Sequence, residues 1–428
     1  MKPSLSKRMF FKVLSQLNRG FLEVVCPEDT YTFGSPTSRL RAMLAVHDER
    51  FFRRAILGGD VGMGEAFVDG DWSSPDLTAL IRLAVRNLEA LENNNKLFSA
   101  IASLSDTVKH RFRSNTLTGS RKNISYHYDL GNDFYRLFLD PTMAYSCAYY
   151  ESPDDRLEQA QLNKFDRICR KLELKPTDHL LEIGTGWGGF AAYAATHYGC
   201  RVTTTTISRQ QHDYAKDLFA GLGEAGERIT LLLEDYRNLQ GQFDKIVSIE
   251  MFEAVGLRYY DTYFSACDRL LKSDGMMVLQ TITMNDQKFP VFRKRCDWIQ
   301  KHIFPGSELA SVAEIAKSLG RCTKMSLFHL EDIGLHYAET LKHWRERFLE
   351  HRNEVKAQGF DGRFVRMWEY YLCYCEGAFR ERHIGDVQLV LTKQMHGVQS
   401  KAREFTGIKT IHSSTVRDSS PGTFHSQD

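Results

Sequence analysis

Between residues 178 and 284 the apolar positions come in short runs separated by mixed stretches. The runs are HLLEI (179–183), RVTTTTI (201–207), ITLLLED (229–235), FDKIVSI (243–249) and GMMVLQTITM (275–284). Segments with helical spacing of apolar residues lie between most of them. This alternation predicts an α/β fold built on an open, doubly wound parallel sheet. A helical insert is expected over about 286–320, then two long helical stretches carrying Trp344 and Trp368, then a last strand, VQLVLTK (387–393). Upstream, residues 21–48 alternate apolar and polar in runs broken by Pro27, Gly34 and Pro36, as small strands do. The pattern turns helical after Arg50. The glycine-rich residues 58–72 read as a helix–turn connection, with Ser73 or Ser74 capping a helix near Pro75. Polar residues 88–120 read as a helix and a linker. The expected organisation is a smaller α+β unit over 1–120, a catalytic unit over 121–396 and a disordered tail over 397–428.

The first 19 residues hold no acid. Phe10, Val13, Leu14, Leu17 and Phe21 recur at helical spacing, with Lys7, Arg8, Lys12 and Arg19 between them. Two readings of this basic amphipathic helix stay open. It lies on an anionic membrane surface, or it packs on its own domain with a solvated basic face. The 428 residues are 42% hydrophobic and 26% charged, an ordinary composition for a chain with ample core. No apolar run nears the roughly 20 residues that span a bilayer, and the N-terminus lacks the apolar stretch of a signal peptide. Membrane contact is therefore expected to be peripheral, on the inner face. The net charge of +2 does not suggest a nucleic-acid partner. The nine cysteines form no CxxC pair, and Cys373 and Cys375 are too close for a usual metal spacing, so no metal site and a reducing, cytoplasmic setting are expected. The glycines of 58–70 lack the Lys-Ser/Thr of a phosphate-binding loop.

In LLEIGTGWGGF, Gly184, Gly186 and Gly189 follow a buried strand and precede a helix. Glycines there let backbone approach a ligand closely. A dinucleotide site expects a ribose-binding acid about 20 residues on. This chain has Thr204, Thr205, Thr206, Ile207 and Ser208 instead, and its acid, Glu182, stands two residues before the first glycine. That arrangement argues against NAD and fits S-adenosylmethionine; a tight strand–helix turn without ligand is the plainer alternative.

The chain resembles the cyclopropane fatty acid synthases. The matching stretches include NISYHYDLGNDFYRLFLDPTMAYSCAYYE (123–151), LLEIGTGWGG, TISRQQ (206–211), LEDYRNL, FDKIVSIEMFEAVG (243–256), YYDTYF, IFPG (303–306) and YYLCYCEGAFR (370–380), in order over most of 123–395. GEAFVDGDW extends the resemblance into the N-terminal unit. It implies a seven-stranded S-adenosylmethionine-dependent methyltransferase sheet. It also implies an activity: methyl transfer to the double bond of an unsaturated phospholipid acyl chain, then deprotonation of the carbocation by bound bicarbonate and closure of a cyclopropane. The bicarbonate site would use Cys147 and Ile282 through backbone groups, the Glu253 carboxylate and the Tyr337 hydroxyl. Cys375 is a further candidate, with a small core residue as the plainer reading. The cofactor pocket would use Tyr145, Ser146, Glu182, Gly184, Gly186, Thr206, Ser208, Gln211, Asp235 and Tyr236, with Thr206 and Gln211 in place of a ribose acid. Tyr126, Tyr128, Phe134, Tyr135, Tyr145, Tyr149 and Tyr150 offer aromatic faces for the cation, though each serves equally well as core. The N-terminal unit is expected to serve lipid docking or dimer contacts.

Three positions depart from the family. Gln280 stands where the best-known members have a histidine beside the bicarbonate; it donates a hydrogen bond but cannot take a proton. Thr185 and Glu250 replace the common cysteine and glycine, and Glu250 close to Glu253 is expected to raise the pKa of one of them. The departures leave a methyl or methylene branch open as the product. Small-molecule N-methylation and a non-catalytic lipid-binding role are the more distant readings.

Overall fold

The computed structural model describes residues 4–93 and 130–393. The expected linker near residue 120, Tyr126, Tyr128 and the expected tail lie outside the described residues.

The chain opens with helix α1 (Leu5–Leu14), started by Ser4, whose side chain accepts from Lys7 N. Its apolar face is buried: Phe10 packs edge-on against Phe51 and Phe52, and Leu14 and Leu17 join the same core. Of the two readings of this helix, packing on its own unit is the one observed. Even Lys7 is buried and pairs with Glu49 at 3.2 Å. Strands β1 (Phe21–Val25), β2 (Thr30–Gly34) and β3 (Arg41–Val46) follow, then helix α2 (Arg50–Asp69), the short β4 (Trp72–Ser73) and helix α3 (Leu77–Arg86). They make a four-stranded sheet in the order β2-β1-β3-β4.

Two local expectations are corrected here. Residues 58–69 are not a connection but the continuation of α2, which bends at Gly59 (φ 56°, ψ −135°), a backbone state open to glycine. The cap of α3 is neither serine. Ser73 belongs to β4, and it is Asp76, directly before Leu77, that accepts from Ala79 N at 2.8 Å.

The large sheet has seven strands in the order β10-β11-β9-β8-β5-β6-β7. Strands β5 (His179–Ile183), β6 (Arg201–Thr205), β7 (Ile229–Leu232), β8 (Phe243–Ile249) and β9 (Leu271–Met284) are mutually parallel. Strand β11 (Ile384–Lys393) runs antiparallel to β9, and the edge strand β10 (Met325–Asp332) runs antiparallel to β11. Strand β10 escapes the sequence pattern. It is an edge strand with a bulge between Leu327 and His329, so its apolar residues do not alternate, and Leu327 and Leu330 are exposed. Helices α4 (Leu157–Lys171) and α5 (Arg209–Ala220) cover one face of the parallel part, and α6 (Tyr260–Leu270) the other.

Two long helices, α7 (Gly334–Glu350) and α8 (Gly362–Arg380), connect the sheets and bury Trp344 and Trp368. One hydrophobic core runs from α1 through α2 and α3 into α7 and α8. Gly377 of α8 lies so close to Ile81 of α3 that a Cβ would meet Ile81 Cγ2 at 2.6 Å. Beside it the buried Glu376 accepts from Thr78 of α3 and from Arg345 and Arg380, at 3.1, 2.9 and 2.8 Å. The N-terminal unit is thereby fixed over the carboxyl edge of the large sheet, where doubly wound folds bind ligands.

Candidate active site

Strand β5 ends at Ile183, Gly184 (φ 104°) follows it, and the loop through Gly186 (φ 53°) turns into a short helix, Gly189–Tyr193. The amides of Gly184 and Thr185 bond to Thr205 O at 3.0 and 3.1 Å, which holds the loop against β6. A Cβ on Gly186 would meet nothing within 4 Å, so the loop borders open space, and Gly186 lines the cavity there. Glu182 is buried below it, accepts from Thr204 Oγ1 at 2.6 Å, and is pushed up to about 8 by burial. At the ends of β6 and β7, Thr206 Oγ1 donates to Gln211 Oε1 at 2.9 Å, and Asp235 is gripped by Arg237. Ser208 caps α5, where its Oγ accepts from Gln211 N, and it does not line the cavity; the other nine expected cofactor residues do. The open glycine loop, with buried carboxylates beside it at the sheet edge, suits a cationic, hydroxyl-rich cofactor such as S-adenosylmethionine.

Past the end of β8 lies a second cluster, built on carboxylates. Glu250 adopts φ 48°, a left-handed state that favours glycine. Its Oε1 accepts from Cys147 N at 2.7 Å and Gln280 Nε2 at 2.8 Å, and its Oε2 accepts from Tyr337 OH at 2.6 Å. Burial raises its pKa, and the Tyr337 hydroxyl is the largest opposing influence. Glu253 accepts through Oε1 from Thr281 Oγ1 and from Ile282 N, at 2.8 and 2.5 Å. Its Oε2 is buried without a hydrogen-bond partner among the described residues, and burial with the nearby Glu250 charge pushes the group up to about 7.

Three further buried groups belong to this cluster, and sequence reading did not single them out. Asp386 accepts from Gln280 Nε2 at 3.1 Å; the β9–β11 register sets it opposite Ile282. Gln388, opposite Gln280, donates to Gln280 Oε1 at 2.9 Å and is itself held by Lys171 at 2.6 Å. Lys164 donates to Ser146 Oγ at 2.6 Å, and burial lowers it to about 8 against the pull of the Glu250 charge. The available signal for the two lysines was position: Lys164 and Lys171 fall with Leu157, Ala160 and Ile168 on the buried stripe of α4. A lysine on such a face needs a partner.

Of the residues expected around bicarbonate, the fold gathers Cys147, Glu253, Gln280, Ile282 and Tyr337. Cys147 and Ile282 contribute backbone N–H groups, and the buried Cys147 thiol, held well above its ordinary range by burial, donates to Ala148 O. Cys375 lines the cavity elsewhere, with its thiol also raised by burial. A separate anion does not fit this arrangement. The Cys147, Gln280 and Tyr337 donors are spent on Glu250, the Ile282 donor on Glu253, and a bicarbonate would add a negative charge beside the buried Asp386 and the half-buried Glu250 and Glu253.

Both clusters open into one cavity of about 500 Å³. Beyond Tyr145, whose hydroxyl pairs with Tyr371 OH at 2.9 Å, its wall becomes mainly apolar, with Ile81, Val85, Met284, Phe292, Ile299, Phe304 and Phe379, and Asp60, Asp297 and His383 are among its polar members. Ile81 and Val85 come from α3, so the N-terminal unit supplies part of this wall.

The model of a known family, mycolic acid cyclopropane synthetase, matches residues 115–389. The chain belongs to this family. It is 39% identical to the cyclopropane-fatty-acyl-phospholipid synthase of Escherichia coli over 85% of this chain and 90% of that one. It is 35% identical to the tuberculostearic acid methyltransferase UfaA1 of Mycobacterium tuberculosis, over 87% and 88%. Among solved structures, the mycolic acid cyclopropane synthase CmaA1 complexed with SAH and CTAB superposes with a TM-score of 0.60 at 33% identity, covering 64% of this chain and 98% of that one. The family and the fold make this protein an S-adenosylmethionine-dependent methyltransferase.

Proposed function

We propose that this family member adds the methyl carbon of S-adenosylmethionine to the double bond of an unsaturated fatty acyl chain of a phospholipid and closes it to a cyclopropane. The observation that carries the reading is the single cavity that joins the glycine-loop crevice to an apolar channel. When bound, the cofactor supplies an electrophilic methyl group. The chain's own residues do the rest. The apolar wall holds the alkene, a poor nucleophile, in line and away from water. Tyr145, Trp187 and Tyr371, all on the cavity wall, present aromatic faces to the positive charge that develops on the acyl chain. The carboxylates of the Glu250 cluster stabilise the same charge from the other side.

A basic lip supports a phospholipid substrate met at a membrane. Lys288, Arg293 and Lys294 are exposed around the exposed Val291, next to Phe292 of the cavity wall. Such a surface attracts anionic headgroups. The same reading has the protein work as a peripheral enzyme on the inner membrane face. Among the described residues no helix is long and apolar enough to cross a membrane.

A second reading, a methylene or methyl branch at the same double bond, is favoured by the altered anion site, where Glu250 and Gln280 depart from the family. One experiment addresses both. The protein is expressed in cells with unsaturated phospholipids, and their fatty acid methyl esters are analysed by mass and proton spectra. A gain of one carbon with ring protons supports the cyclopropane, and vinylidene or methyl-branch signals support the branch. No gain of a carbon unit sinks both.

A further inference from the structure

Glu250 stands where a separate anion would have to sit, and it holds three of the donors that such an anion would use, the Ile282 N–H being taken by Glu253. Its donors come from three distant parts of the chain: Cys147 N ahead of α4, Gln280 on β9 and Tyr337 on α7. A glutamate at φ 48° is held in a backbone state that L residues rarely adopt, so the surrounding contacts over-determine its place. The side chain is on the cavity wall, beside Glu253.

We infer that the Glu250 carboxylate is itself the base that removes the proton from the methylated acyl chain, and that this enzyme works without bound bicarbonate. The inference rests on the function proposed above, since it needs an acyl cation to deprotonate. A carboxylate has about four lone-pair sites, two on each oxygen. Two donors fill those of Oε1 and one occupies Oε2, and the neighbouring Asp386 carboxyl also bonds to Glu250, so the proton that Glu250 takes up is held between the two carboxyls. Once the double bond has taken the methyl carbon, the neighbouring acyl carbon is positive. A C–H bond of the new methyl breaks, its electron pair forms the last ring bond, and the proton goes to Glu250. Cation and carboxylate become a neutral lipid and a neutral acid. For a branched product, a hydride first moves to the positive carbon, and the same C–H pair then forms the methylene double bond. The proton returns to water as the product leaves. Gln280, which cannot accept the proton, serves as a positioning residue that donates to both Glu250 and Asp386.

The test uses the full-length protein, labelled S-adenosylmethionine and vesicles of unsaturated phospholipid, in buffer stripped of carbon dioxide and again with added bicarbonate. Wild-type protein is expected to transfer methyl groups equally in both, within about twofold. Glu250→Gln keeps the size and should bind S-adenosylhomocysteine like the wild type, while activity falls by about 10²–10⁴-fold, the usual worth of a general base. Glu250→Gly suits the left-handed backbone and vacates the site. It is expected to be as inactive in stripped buffer and to regain activity with bicarbonate or acetate, and crystals soaked in bicarbonate should show an anion on Cys147 N and Tyr337 OH. Wild-type activity that needs bicarbonate, or a Glu250→Gln variant of full activity, overturns the inference and leaves the proposed function standing. No labelled lipid from wild-type protein under either condition removes the proposed function itself.

Discussion

Replacing Tyr337 by phenylalanine removes one hydroxyl and leaves the ring in place against Phe379, 4.5 Å away between centroids. The lost contact is the 2.6 Å hydrogen bond from the buried Tyr337 to Oε2 of the half-buried Glu250. A hydrogen bond to a charged group is worth about 1.5–3 kcal/mol. It acts on the ionised form alone, so at about 1.4 kcal/mol per pKa unit its loss raises Glu250 by about 1–2 units. The sign follows from the environment: burial already raises this carboxyl, the Tyr337 bond lowers it, and removing a lowering influence moves it further up. The groups that also face it are Glu253, Asp386, Lys164 and the Cys147 thiol, and all remain. The acidic limb of the pH–rate profile should therefore shift about 1–2 units toward higher pH, since only the ionised base works. On that limb activity falls about 10–100-fold at fixed pH, and above it activity recovers to within a few-fold of wild type. The assay is labelled methyl transfer to vesicle phospholipid from pH 5.5 to 9, with cofactor affinity measured alongside. A limb that stays in place, or an equal loss at every pH, refutes the reasoning.

Three further outcomes are expected. Glu182, neutral in both folded and unfolded chains well below pH 4.5, keeps its proton to about 8 only when folded, so cofactor-free stability falls as pH rises between those values, by at most about 1.4 kcal/mol per unit. Glu182→Gln should flatten that fall in urea titrations across pH 5–8; an unchanged slope would show that Glu182 is ionised in the fold. Glu376→Ala leaves Arg345 and Thr78 without their buried acceptor and should cost about 3–5 kcal/mol in chemical unfolding; a cost below about 1 kcal/mol would mean that the Glu376 contacts do not secure α8 to α7 and α3. Changing Lys288, Arg293 and Lys294 together to serine removes about 3 kcal/mol of attraction to anionic lipid, on the order of a 100-fold loss of vesicle binding. Binding to neutral vesicles should be spared, and equal loss on both would count against the basic lip.

The sequence by itself determined the elements whose signals are local. Runs of β-branched and aliphatic residues marked β5, β6, β8, β9 and β11, because strands covered on both faces need uninterrupted apolar side chains. The strand–glycine–helix step marked the cofactor crevice for the same local reason. Helix α1 was legible as amphipathic, but its partner was not, since a basic amphipathic pattern suits lipid and protein alike until Phe10 is seen against Phe51 and Phe52. Strand β10 was hidden because an edge strand has only one neighbour to dictate its pattern. Part of the Glu250 cluster was legible only through the family resemblance, and its hydrogen bonds, together with Lys164 and Asp386, were decided by tertiary structure. Its members, Cys147, Lys164, Glu250, Gln280, Tyr337 and Asp386, span about 240 residues of chain and meet only through the β9–β11 register and the packing of α4 and α7. A carboxylate gives no local sign of which donors it will meet, because hydrogen bonding acts over about 3 Å in space, whatever the separation along the chain.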